Sequence, residues 1–386
     1  MTSSDKYEVI IVGAGPAGSA AAYYLARSGI DVLLIDKSEF PRDKTCGDGL
    51  TPRAVGVLGD MGILKRIEQL AHRVNGLEFI SHNGKRITVS TETKSLYPNY
   101  LLVIPRLSLD KIILQQAIDN GAKFIGGSRV IAVEDREGRA QVTVQRGAAL
   151  STYCASAVLM ATGASAGLLR AVGLLQEKPY EPMLALRTYY ENVSDLTNHV
   201  QVHFFDQKLP GYGWVFPISA SAANIGVGLR QIGAAKEKRS LRGLMESFLN
   251  KPLLKQMLSQ ATQIGVTKSY PLRADFLATA AVRGRVLAIG EAAGLVNPLT
   301  GDGIDFALES GKLAAEFLIG QFTRGEIKPE TVVQYDQILR KRYQSKFEFF
   351  ELARSVLSFP IAMQSVFSII GRSQRARQLA VDILLS

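Results

Sequence analysis

Residues 7–18, Y-E-V-I-I-V-G-A-G-P-A-G, carry the reading on which the fold depends. Val9 to Val12 form a short apolar run rich in β-branched residues, the pattern of a strand buried on both faces. It runs into Gly13-Ala14-Gly15-Pro16-Ala17-Gly18 and then an alanine-rich helix expected over Ala17 to Ser28. In a G-x-G-x-x-G turn after a strand, the first glycine lets the chain reverse and the second lets backbone approach a pyrophosphate. The third lets the helix pack closely on the strand. Gly13, Gly15 and Gly18 take these positions, with Ala17 at the helix start, so that phosphates would meet free N–H groups at the positive end of a helix. A second strand, Asp31 to Asp36, ends 18 positions beyond Gly18, where a carboxylate can reach a ribose hydroxyl. Asp36 and its neighbour Lys37 are therefore expected on the nucleotide.

Outward from this unit, 386 residues exceed one average domain, so two domains or one with a large insertion are expected. A hydrophobic content of 47% with 35 glycines indicates a globular α/β chain with a large core. Two cysteines build no disulfide framework, and the start M-T-S-S-D-K-Y-E enters the first strand without an apolar signal region. The expectation is a cytoplasmic, reduced protein. Four histidines show no metal-ligand spacing; His199 and His203 would share a strand face without a third ligand, and no metal is expected. The formal charge is +10, and 339–386 hold eight Lys/Arg against three acids, a net +5. Half the excess thus sits in the last eighth of the chain, where a solvated helical face, an anionic lipid surface and nucleic acid compete as explanations.

After the second strand, K-T-C-G-D-G-L-T-P places Cys46 in a loop with glycine on both sides of Asp48, and Thr51-Pro52 reads as a helix start. Gly76 to Ser81 and Lys85 to Val89 read as strands around His82-Asn83-Gly84. Ser108 is expected to cap a helix with Leu109, Ile112, Ile113 and Ala117 on its inner face and Gly121 at its end, Arg106 standing just before it. A hairpin over Val130 to Glu134 and Ala140 to Gln145 turns at 135–138. Ala157 to Ala161 form a buried strand ending in Thr162-Gly163. From Pro182 to Pro271 the pattern becomes alternating, as in L-A-L-R-T-Y-Y and G-W-V-F-P-I, which indicates an antiparallel sheet inserted into the nucleotide domain. Arg283 to Ile289 return as a buried strand before G-E-A-A-G-L-V-N-P-L-T-G-D-G-I-D-F and a long helix to about Phe322. The expected class is α/β: a discontinuous Rossmann-type domain (1–75, 100–181, 272–325), an inserted sheet domain (76–99, 182–271) and a helical C-terminus (326–386).

With both glycine-rich stretches in view, the chain resembles the FAD-dependent oxidoreductases of the aromatic-hydroxylase fold, and among them the geranylgeranyl reductase family. The resemblance runs from Tyr7 to about Leu318. It implies that the first glycine motif holds the FAD pyrophosphate and that Asp36 is the ribose-binding acid, although Glu is commoner there. It also implies that Arg106 meets the cofactor, that the Val130 backbone meets the adenine, and that Thr162 and Gly163 join the cofactor set. G-E-A-A-G matches the family's G-D-A-A-G with Glu291 in place of Asp, one methylene longer. Gly301 to Ile304 match the loop and helix start facing the flavin C2 carbonyl and N1, with Gly303 and Ile304 as contacts. K-T-C-G-D-G-L resembles the C-G-x-G-L signature, which sets Cys46 and Gly47 beside the isoalloxazine. G-Y-G-W-V-F-P resembles Y-x-W-x-F-P, with Tyr212, Trp214, Phe216 and Pro217 lining a prenyl channel. Followed by N-I-G-V-G, it is particularly similar to the branch that saturates one unit of the menaquinone side chain.

Such an activity needs hydride at one alkene carbon and a proton at the other, and Cys46 is the proton-donor candidate. The single dinucleotide fingerprint goes to FAD, so electrons are expected from transiently bound NADPH or another reductant. The partner expected is a long prenyl lipid rather than nucleic acid, which a peripheral enzyme on the inner membrane face would reach. Residues 353–370, apolar and flanked by basic groups, read either as an interfacial anchor or as a helical cap on the protein's own core. Two other readings stay open at this point. One is a flavin monooxygenase or halogenase of the same fold, although the halogenase stretch W-x-W-x-I-P is only echoed by Tyr212 to Pro217. The other is a non-catalytic flavin-binding or prenyl-carrier protein.

Overall fold

A computed structural model of the chain describes residues 5–91, 97–136, 138–175, 182–205, 211–230, 240–325 and 327–385. Leu209 and Pro210, which open the aromatic motif, and Glu137 of the predicted turn lie outside them.

The strand Asp5–Val12 sits inside a parallel sheet, with Ala149–Met160 on one side and Val32–Ile35 on the other. Val286–Ala288 and Lys123–Ile125 extend the sheet at either flank, again in parallel. Val9, Ile10 and Ile11 are wholly buried, as a strand covered on both faces requires. The predicted hairpin is present as Arg129–Arg136 and Arg139–Arg146, antiparallel to the first half of Ala149–Met160. One long strand therefore extends the buried strand expected from Ala157 back to Ala149. Arg283 also departs from the expectation of a single strand from 283 to 289: it pairs antiparallel with Val286 across a turn at Gly284, whose φ is +55°.

The second sheet has seven strands among the described residues, in the order Thr262–Leu272, Met183–Glu191, Ala223–Arg230, Gly211–Pro217, Val200–Phe204, Gly76–Ile80, Arg86–Ser90. It is antiparallel except at one seam, where Val200–Phe204 runs parallel to Gly76–Ile80. This seam joins the early hairpin to the later insertion, and a hairpin connection cannot bridge strands so far apart in the chain. His199 precedes the strand that holds His203, so the two do not share a strand face. Among the described residues no cluster of three His, Cys, Asp or Glu is placed to hold a metal ion.

The helix after the glycine turn spans Pro16–Arg27 and the long C-terminal one Ile304–Thr323. The first packs on its own turn at Gly18, and the two helices meet at Gly311. A Cβ on Gly18 would stand 1.9 Å from the Gly13 carbonyl oxygen, and one on Gly311 would stand 2.4 Å from that of Ala17. Both are backbone contacts that no side-chain rotation can relieve. The helix expected to be capped by Ser108 begins three residues earlier, as Arg106–Asp119 after Pro105. The N–H groups of Ser108 and Leu109 both donate to the Pro105 carbonyl. Arg106 thus stands in the first turn, where it meets Asp110 one turn on.

The C-terminal helices Gln334–Leu357, Pro360–Arg372 and Gln374–Leu385 connect the two sheets. Tyr335, Leu339, Tyr343, Phe347 and Phe350 recur at helical spacing and are buried on the nucleotide side, Phe347 lying 5.1 Å from Phe276 and 5.2 Å from Phe306 between ring centroids. Phe367 and Val381 pack instead on the second sheet, with Phe204 edge-on to Phe367 at 5.3 Å. The segment 353–370 therefore covers core with part of its length, while Val356, Phe359 and Ile369 stay exposed.

Gly311→Ala is expected to destabilise the protein by about 1–3 kcal/mol through overpacking. Gly320→Ala in the same helix, where a Cβ meets nothing within 4 Å, should be neutral or stabilising by up to about 1 kcal/mol. Urea midpoints of the two variants check the contrast.

Candidate functional site

Two cavities meet between the sheets. The first, about 590 Å³, is lined by the glycine turn, the 42–49 loop and the start of the long helix. Gly13, Gly15, Ala17, Asp36, Lys37, Cys46, Gly47, Arg106, Val130, Thr162, Gly163, Glu291, Gly303 and Ile304 all face it. Gly18 does not, because its place is at the helix–strand contact.

Two helix N-termini open onto this cavity, at Pro16 and Ile304, so unpaired N–H groups and two positive dipole ends converge on it. Gly13 holds φ at +107°, and a Cβ there would strike the Ala161 carbonyl at 2.3 Å. Gly15 differs: its φ of −72° suits any residue, and a Cβ would meet only Arg42 Nη2 at 3.6 Å. What that Cβ would fill is the cavity itself. The Asp36 carboxylate accepts from the Ala14 N–H at 2.8 Å and from the Ser38 N–H at 2.8 Å, which ties the end of the second strand to the glycine turn. Glu291 is held by Lys44 Nζ at 2.9 Å and by the Arg273 N–H at 3.2 Å. Asp110, fully buried, takes Arg106 in a fork of 2.6 and 2.7 Å and Arg42 at 3.1 Å, presenting both guanidinium groups to the cavity. These features fit an anionic dinucleotide carrying a flavin.

The 46–49 loop is locked onto the second sheet. The Phe216 ring lies where Cβ atoms on Gly47 and Gly49 would be, at 3.0 and 3.3 Å, which is a physical reason for glycine at both positions. Trp214 Nε1 donates to Asn224 Oδ1 at 2.9 Å, and Asn224 Nδ2 donates to the Cys46 carbonyl at 2.7 Å and to Asp48 Oδ2 at 2.8 Å. Tyr189 donates its hydroxyl to the same Oδ2 at 2.5 Å. Asp48 holds φ at +68°, a conformation costing a side chain on the order of 1 kcal/mol, and is fully buried. Burial raises its carboxyl to about 6 against the opposing Tyr189 and Asn224 bonds and the charges of Arg187 and Arg106. Burial likewise pushes the Cys46 thiol up, opposed by Arg106.

The second cavity, about 890 Å³, lies between the seven-stranded sheet and the C-terminal helices. Its walls are largely apolar, including Phe79, Val202, Phe204, Leu229, Leu299 and Phe367. Tyr212 and Phe216 line both cavities and form the partition between them, with Asp302 beside them. Burial and neighbouring Asp305 raise the Asp302 carboxyl to about 7. Trp214 faces the first cavity alone, and Pro217 lines neither. Sequence reasoning missed Asp48, Tyr189, Asn224 and Asp302 as members of the site. For Asp48 and Asp302 the signal was available, since each is a carboxylate set between glycines of a motif; the other two are legible only through strand pairing.

A glycine turn at a helix N-terminus on a parallel sheet, a second helix start on the same cavity and an adjoining mixed sheet define an FAD-binding fold. The chain belongs to the family described as FAD binding domain, whose model matches residues 6–349. Its cofactor is FAD. Over 390 residues it is 33% identical to menaquinone reductase of Mycobacterium tuberculosis (strain ATCC 25618 / H37Rv), covering 100% of this chain and 92% of that one. It is 28% identical over 347 residues to digeranylgeranylglycerophospholipid reductase of Methanococcus vannielii, covering 88% and 83%. The fold is shared with a geranylgeranyl bacteriochlorophyll reductase-like protein from Thermoplasma acidophilum, with a TM-score of 0.85 at 23% identity over 98% of this chain and 96% of that one.

Gly15→Ala is expected to leave the thermal unfolding of the apoprotein unchanged and to weaken FAD at least tenfold, about 1.4 kcal/mol, because the new methyl occupies ligand space alone. Flavin fluorescence titration beside an apoprotein melt checks this.

Proposed function

We propose that this protein is an FAD-dependent reductase that saturates isolated double bonds of a geranylgeranyl or polyprenyl chain, on an isoprenoid lipid or a quinone. The observation that carries the reading is the apolar second cavity, which meets the cofactor cavity at Tyr212 and Phe216. The names of the 33% and 28% identical relatives support it. When bound and reduced, the flavin supplies hydride to one alkene carbon.

The chain's own residues do the rest. Gly13, Gly15, Ala17 and the second helix start at Gly303 and Ile304 hold the anionic parts of the cofactor. Arg106 braces the Cys46 side, and Asp36 and Val130 flank the nucleoside end. Tyr212, Trp214 and Phe216 press the alkene into near-attack position and exclude water. Pro217 ends the aromatic strand and shapes the channel from outside. Cys46 keeps its proton, because burial disfavours the thiolate, and gives it to the second alkene carbon. Electrons arrive from NADPH or another two-electron donor.

Lipid enters from a bilayer at the outer end of the second cavity. Phe349, Leu352 and Val356 line that cavity and are also 44%, 64% and 47% exposed, and Phe359 beyond them is 68% exposed. No helix among the described residues is long and apolar enough to cross a membrane. The exposed row suits shallow insertion from the cytoplasmic face, with Arg372 and Arg375 exposed on the neighbouring helices to meet anionic headgroups.

Dithionite-reduced holoenzyme given a panel of prenyl lipids should yield products heavier by two hydrogens per bond; an added oxygen in the product would overturn the assignment. Ala353→Trp, which puts an indole into the second cavity, should retain FAD and lose prenyl turnover at least tenfold. Replacing Leu352, Val356 and Phe359 with Glu should abolish co-sedimentation with anionic vesicles while FAD content is kept.

A further inference from the structure

We propose that Asp48 is the group that returns a proton to Cys46 after each reduction, its free carboxyl oxygen carrying the proton while Tyr189 and Asn224 hold the other oxygen. The inference rests on the reductase reading and deepens it.

The geometry assigns the two carboxyl oxygens different tasks. Oδ2 accepts from both Tyr189 and Asn224, while the buried Oδ1 has no partner among the described residues. A proton on this carboxyl therefore sits on Oδ1, the oxygen with no donor to repel it. The backbone fixes the group beside the thiol: the Asp48 N–H donates to Cys46 Sγ at 3.3 Å, and φ of +68° turns the residue back over the loop. Both side chains line the cofactor cavity. A buried, unpartnered polar atom and a left-handed non-glycine residue are two separate costs at one position. A glycine there, continuing the glycines on either side, would avoid both.

In the transfer, Cys46 loses its Sγ–H proton to the alkene carbon opposite the one that accepts hydride, leaving a thiolate. The Oδ1–H bond of Asp48 breaks, an Sγ–H bond forms, and the electron pair stays on the carboxylate. That carboxylate recovers a proton at Oδ1 from water reaching it through the cofactor cavity, which Asp48 lines, while Tyr189 and Asn224 hold Oδ2. Direction follows from acidity: the thiol is pushed above its ordinary value and the carboxyl is raised only to about 6, so transfer from carboxyl to thiolate is downhill. The groups facing the pair are Arg106 from its helix, Arg187 and Tyr189 from one strand, Lys44 from the same loop and Tyr212 from the aromatic strand. The cations among them favour the anionic form of each group.

The test is Asp48→Asn in the holoenzyme, read in two ways. Alkylation of Cys46 by iodoacetamide across pH, followed by peptide mass, should shift to a lower midpoint, because the carboxylate that opposes the thiolate is gone. With reduced enzyme and prenyl lipid, the first turnover should keep its rate within twofold while later turnovers slow at least tenfold, giving a burst of one product per site. Asp48→Glu should recover part of the steady rate. If the Asp48→Asn variant carries poor FAD, Tyr189→Phe replaces it. The lost hydroxyl favoured the carboxylate, so its removal should move the fall of the steady rate to higher pH. An unmoved alkylation profile, or a steady rate equal to wild type, overturns the proposal. Absence of saturated lipid with wild type refutes the reductase reading instead, and the alkylation profile alone then decides whether Asp48 and Cys46 exchange a proton.

Discussion

Contact between backbones, with no room for a single methyl, is the constraint on which this architecture depends. Gly18 against Gly13 seats the helix Pro16–Arg27 on its own glycine turn, and Gly311 against Ala17 draws the helix Ile304–Thr323 onto it. Because of that approach their N-termini open on one cavity rather than two. Each end carries a partial positive charge, so an anionic dinucleotide bound in that cavity would meet favourable electrostatics from opposite ends of the chain. A substitution that separates the helices would weaken both ends of the ligand together.

The second sheet has a different role. It lines the nucleotide cavity with Met183 to Ala185, Gly228 and Lys268 to Tyr270 as well as with the aromatic wall of Tyr212, Trp214 and Phe216. Phe216 packs on the Gly47 and Gly49 backbone, and Trp214 reaches the Cys46 carbonyl through Asn224. The loop holding the thiol is thus positioned by the second sheet. Coupling of this kind makes the two motifs interdependent: a bulkier residue at 47 would displace Phe216, and loss of Phe216 would release the loop.

Local pattern reveals the parallel core because β-branched runs, glycine turns and the Thr51-Pro52 start are set by residues close in sequence. Thr51 does accept from the Ala54 N–H at 3.4 Å, as a cap should. The start at Arg106 is hidden because Ser108 is an attractive cap, while the Arg106–Asp110 pair, one turn apart, forms on an acid that tertiary packing buries and that also takes Arg42. The parallel pairing of Val200–Phe204 with Gly76–Ile80 is hidden too, since alternation specifies a strand and not its partner. Within the site, residues on the cofactor side are legible from their motif. Tyr189 and Asn224 are not, because each acts only through its register opposite the other, a pairing that exists once Met183–Glu191 and Ala223–Arg230 are side by side.

Charge shows the same dependence on assembly. The basic C-terminal stretch reads as a surface attractant, but Arg340, Arg342 and Arg354 are occupied by Asp336, Glu309 and Glu351. Glu309 also holds Arg53 and Tyr343, so part of the excess binds the last long helix to the cofactor half of the protein. The exposed apolar row at Phe349, Leu352 and Val356 lies on that same helix. Its inner face is held by buried aromatics and ion pairs while its outer face meets solvent.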